Sequence, residues 1–134
     1  MVAKNLLIVT AFVETATGVM LLVSPTRVVA LLLGASLDAP AALVVARMTG
    51  AALLSLGCAC WLARHPGPNS AVPAVVTAML LYNSVAVAVL ATAGAGARLV
   101  GVLTWPTVAL HAALAVWCIG CLRNGRRVWT RRYP

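Results

Sequence analysis

The chain has 134 residues, of which 63% are hydrophobic and 9% charged, with a mean hydropathy of +1.01. Soluble domains carry roughly a quarter of their residues as charges because water must solvate their surface. A water-soluble globule is therefore excluded, and a bilayer is the solvent that fits. The formal net charge of +8 does not point to nucleic acid, because five of the ten basic residues sit in one tail: Arg123, Arg126, Arg127, Arg131 and Arg132. A basic stretch directly after a hydrophobic run is a topology determinant and a partner for anionic lipid headgroups, and no nucleic-acid partner is expected.

A membrane span needs about 20 apolar residues to cross roughly 30 Å of hydrocarbon. Four such spans with short connections fill the chain, so the expected fold is all-α, a single four-transmembrane-helix bundle over residues 1–134. The first span is expected at 5–24, ending at Ser24-Pro25. Lys4 and the apolar run after it imitate a cleavable signal peptide, but Glu14 interrupts the run and no convincing small-residue cleavage site follows. We read the segment as a retained helix. Residues 26–39 are too long for a tight turn and too apolar for an open loop, and Val28, Val29, Leu31, Leu32 and Leu33 predict a short interfacial or re-entrant helix. The second span is expected at 40–63, opened by Pro40 in a first-turn position. The prolines and glycine of residues 65–70 then break the chain. The third span is expected at 72–94 and the fourth at 99–122, with Pro106 in its first turns and the basic tail at 123–134. Gly50, Ala51, Ser55 and Gly57, with Ala86 and Ala88, are expected to let the helix backbones approach closely.

With the N-terminus inside, the cytoplasmic side holds Lys4, Arg64 and the tail arginines, and the outer side only Arg27 and Arg98 with Asp38. This asymmetry obeys the positive-inside rule. It predicts both termini in the cytoplasm, and Trp61 and Trp105 fall near the two interfaces.

Each span carries one strongly polar residue away from its ends: Glu14, Arg47, Asn83 and His111. An Asp or Arg at a helix centre costs about 2.5–3.5 kcal/mol on insertion scales, so a Glu14–Arg47 pair with Asn83 and His111 nearby is the expected arrangement. A Glu14 left unpaired is expected to take up a proton. Such a layer has two readings: it glues the helices and fixes their register, or it lines a cavity for a small polar ligand or a proton path. Tyr82, Thr17 and Thr49 are further candidates. Two cysteine pairs, Cys58 with Cys60 and Cys118 with Cys121, end the second and fourth spans at matching depth. Four converging thiols suit a soft metal or redox chemistry. Against this, a Cys-x-Cys spacing on a helix turns the two thiols to different faces, cytoplasmic thiols stay reduced, and cysteine is a common small apolar residue of buried helices. Helix packing is the preferred reading.

The stretch Ala46-Arg47-Met48-Thr49-Gly50-Ala51-Ala52-Leu53-Leu54-Ser55-Leu56-Gly57, followed by Tyr82-Asn83 and by Trp105-Pro106 with His111, resembles small uncharacterised four-span bacterial membrane proteins, loosely the DoxX-like group. The resemblance implies a four-helix fold in a bacterial inner membrane and an accessory or redox-associated role; it carries over no catalytic motif and names no cofactor. The chain has no glycine-rich phosphate loop, no Ser-His-Asp or Cys-His arrangement and no paired carboxylates. With only Glu14 and Asp38 as acids, acid–base chemistry has few candidates, and an enzyme is the least favoured class. The expected function is a small inner-membrane accessory or ligand-binding protein, alone, as a homo-oligomer or in a larger membrane complex. The alternative is a thiol-based handler of soft metals or a membrane redox protein.

Overall fold

The computed structural model describes residues 2–65 and 71–132, the side chains of 125–132 excepted. The chain forms five helices: α1 (Val2–Val23), α2 (Pro25–Leu33), α3 (Pro40–Ala63), α4 (Val72–Ala95) and α5 (Thr104–Arg132). Four of them contain apolar segments long enough to cross a membrane: Val2–Val23, Pro40–Ala63, Val72–Ala95 and Thr104–Asn124. The expected break at residues 66–70 lies outside the described residues, as do the side chains of Arg126, Arg127, Arg131 and Arg132. The backbone of the tail continues α5 as helix through Arg132.

Prolines set the helix starts. Pro25 opens α2, Pro40 opens α3 and Pro73 lies in the first turn of α4, positions where a missing N–H removes no helical bond. Ala39, the residue before Pro40, is extended as proline requires of its predecessor. At nine residues, α2 is about 13 Å long and cannot cross. It ends at Gly34, whose φ of +65° is the left-handed conformation that glycine accepts without a Cβ clash.

The fourth span starts at Thr104, five residues later than the sequence suggests. Residues 99–103 are spent on the end of α2 instead. The Leu103 N–H donates to the Leu31 carbonyl at 2.9 Å, and the Thr104 hydroxyl donates to the Leu32 carbonyl. The Gly101 N–H in turn donates to Thr104 Oγ1 at 2.8 Å. A helix must find partners outside itself for its last carbonyls, and this connection supplies them. Gly101 backbone lies so close to the Leu31 carbonyl that a side chain there would collide with it.

The spans associate as two pairs. α1 packs chiefly on α3 and α4 on α5, while contacts between the pairs are sparse. The α1–α3 pair is a backbone-to-backbone seam. A Cβ on Gly18 would fall 2.7 Å from the Gly50 carbonyl oxygen, and one on Gly57 would fall 3.0 Å from that of Ala11. The helices run antiparallel, with Gly18 beside Gly50 and, seven residues on, Ala11 beside Gly57. Of the small residues expected at interfaces, Gly50 and Gly57 are buried there, whereas Ala51, Ser55 and Ala88 are exposed and Ala86 is half-buried. One end of the bundle has a dry core of Leu6, Leu7, Ala11, Cys60, Val76, Met79, Leu114 and Cys118. Outward, the surface is apolar, with Phe12, Val23, Leu62, Leu81 and Val102 more than half exposed. That is the distribution of a chain whose solvent is lipid.

Candidate functional site

Above the dry core lies a layer of polar side chains, and its members come from α1, α4 and α5. Asn83 is fully buried. Its amide Nδ2 donates to the Met79 carbonyl one turn back at 2.7 Å, so its Oδ1 is left to accept. That oxygen lies 2.7 Å from His111 Nδ1 on α5, which must therefore carry the hydrogen. Nε2 of the neutral ring is then an acceptor. The His111 ring meets Tyr82 edge to face, with centroids 5.6 Å apart and planes at 81°. The Tyr82 hydroxyl in turn interacts with the Glu14 side chain, joining α4 to α1 across the sparse interface between the pairs.

Glu14 is 1% exposed, and its Oε1 is buried without a hydrogen-bond partner. One turn earlier on the same face, Thr10 Oγ1 is also buried and unpartnered. Buried polar atoms in native structures are nearly always bonded, so two orphans side by side mark this place. An open groove of about 490 Å³ runs between α3 and α4, lined by Ala52, Leu53, Ser55, Leu56, Ala59 and Tyr82. Tyr82 is thus both a wall of the groove and the partner of Glu14.

The structure brings Asn83 and His111 together and links them through Tyr82 to Glu14, but it leaves Arg47 out. Arg47 is exposed on α3, and no ion pair joins it to Glu14 among the described residues. Register is the reason. Carrying the Gly18–Gly50 alignment back places Arg47 level with Leu21, seven residues or about 10 Å along the axis from Glu14. Of the other candidates, Thr49 is exposed and donates to the Val45 carbonyl at 2.9 Å, and Thr17 is half-buried. Thr10 was not singled out by sequence reasoning, although its spacing of four from Glu14 puts both on one helix face.

The four cysteines are free and do not converge. Cys60 and Cys118 are buried together in the dry core. Cys58 is exposed on another face of α3, and Cys121 is half-buried. No three His, Cys, Asp or Glu side chains among the described residues are placed to hold a metal ion.

Fold and site together define a small four-span membrane protein with a buried polar layer centred on one acid. No family model matches the chain, and no curated protein or solved structure matches it.

Proposed function

We propose that this is a small membrane accessory protein that binds a lipid-soluble ligand at Glu14, entering through the groove between α3 and α4. The observation that carries this reading is the unpartnered Oε1 of Glu14, beside a tyrosine that also lines an open groove. The groove is apolar apart from Ser55 and the Tyr82 hydroxyl, so the ligand that suits it has an apolar body and a single hydroxyl or amine donor. Bound, the donor satisfies Oε1 and the body covers the α3–α4 groove. The distribution of basic residues and the likeness to DoxX-like proteins favour a bacterial inner membrane, with both termini cytoplasmic.

The test is a thermal-shift panel of apolar alcohols, phenols and amines on detergent-purified protein. At least one class is expected to raise the melting temperature of the wild type. The shift should fall in Tyr82→Phe and disappear in Glu14→Leu. A panel with no stabilising member, or shifts that survive Glu14→Leu, overturns the reading.

A further inference from the structure

A second groove, of about 450 Å³, lies between α1 and α3 and is lined by Ala11, Phe12, Thr15, Leu54, Gly57, Cys58 and Trp61. Gly57, packed against the Ala11 and Thr15 backbone, lies at its floor. From Leu54 to Trp61 it follows α3 for about 10 Å, the length of the first part of one acyl chain. Phe12 and Trp61 form part of its wall, edge to face with ring centroids 6.1 Å apart. Immediately beyond, the Arg64 guanidinium stacks on Trp61, 3.8 Å from the ring centroid, and donates one N–H to the Trp61 carbonyl. Extending the seam by its own step, from Gly18–Gly50 to Ala11–Gly57, places exposed Lys4 level with Arg64.

Two cations therefore flank the mouth of an apolar groove, and the chain holds no acid to neutralise them. Its only acidic side chains are Glu14, buried in the polar layer, and Asp38, at the opposite end of the bundle and hydrogen-bonded by Ser36. No acidic side chain of the protein supplies the neutralising charge. A guanidinium held flat by an indole keeps its remaining N–H donors in the planar fork that suits phosphate.

We propose that this groove is a binding site for an anionic phospholipid, with the start of one acyl chain lying along the groove against Phe12 and Trp61 and the phosphate between Arg64 and Lys4. The site is independent of the Glu14 layer and uses another face of α1. To test it, Trp105, Trp117 and Trp129 are replaced by Phe so that Trp61 alone fluoresces. The protein is then reconstituted in phosphatidylcholine vesicles doped with acyl-brominated phosphatidylglycerol or, separately, acyl-brominated phosphatidylcholine. Brominated phosphatidylglycerol is expected to quench Trp61 more strongly at equal doping. The excess should be lost in Lys4→Gln/Arg64→Gln, reduced in the milder Lys4→Gln, and unchanged in Arg27→Gln/Arg98→Gln at the other end of the bundle. Equal quenching by the two lipids overturns the proposal. So does an excess that survives the double variant, or one that instead vanishes when Arg126, Arg127, Arg131 and Arg132 are changed to Gln.

Discussion

Glu14, 1% exposed, meets one hydroxyl from another helix, that of Tyr82. Hydrogen bonds between membrane helices contribute about 0.6 kcal/mol on average and up to roughly 1.7. A Glu14/Tyr82 double-mutant cycle, read by reversible unfolding in mixed micelles, should give a coupling in that range. A Glu14/Arg47 cycle should be additive, because the two lie about 10 Å apart along the bundle. A coupling at Arg47 larger than that at Tyr82 would contradict the register described above. Depth along one helix is legible in sequence, which is why Glu14, Asn83 and His111 could be singled out. The pairing of Arg47 was not legible, because it depends on how far α3 slides along α1, and two close glycine contacts decide that. The cysteines follow the same logic. Replacing buried Cys60 or Cys118 by Ala should cost about 0.5–1.5 kcal/mol each, as for a deleted methyl-sized group. The same change at exposed Cys58 should leave the unfolding midpoint unmoved.

The helices carry their inward residues at spacings of three and four. α1 uses Leu7, Ala11, Glu14, Gly18 and Leu21, and α3 uses Gly50, Leu53, Gly57 and Cys60. α4 uses Val76, Met79 and Asn83, and α5 uses His111, Leu114 and Cys118. This is the repeat of left-handed helix packing, and read as such it would have placed Glu14, Asn83 and His111 inside together. The small residues misled where they lay off this repeat: Ala51, Ser55 and Ala88 face outward. Overpacking a tight interface typically costs about 1–3 kcal/mol. Gly18→Val and Gly50→Val should reach or pass the top of that range, because their new atoms meet backbone. Gly120→Val, with open space around its Cβ position, should change stability far less, and melting temperatures in detergent would rank the three. The late start of α5 has its own signature. Thr104→Val removes both the acceptor of the Gly101 N–H and the donor to the Leu32 carbonyl. Hydrogen exchange at the amides of Gly101 and Leu103 should quicken while exchange in mid-α3 stays slow.

For the molecule as a whole, charge and hydropathy define four spans, one short helix and a polarity of basic residues, and the fold agrees with the first two. Membrane-impermeant maleimide on a cysteine-free background checks the third. Single cysteines at positions 38 and 96 should label from outside, and those at 69 and in the tail only after the membrane is opened. External labelling of the tail would invert the bundle and move Lys4, Arg64 and the dry core to the outer face. The division into two pairs was not legible. Sequence order suggests that consecutive spans pack together, yet α3 shares little surface with α4, the span that follows it.

The link between Glu14 and Tyr82 also bears on how the protein is made. Glu14 leaves the ribosome in the first span, whereas Tyr82 follows only after α2 and α3 have been synthesised. Until then the carboxyl lacks the Tyr82 hydroxyl, and the face that α3, its first companion, turns to α1 is lined with glycines and leucines. The nascent chain therefore passes through a stage in which an acidic helix stands in the insertion machinery without its partner. Ribosome-stalled chains ending before α4 should keep α1 cross-linkable to an insertase, and chains long enough to release α4 should free it.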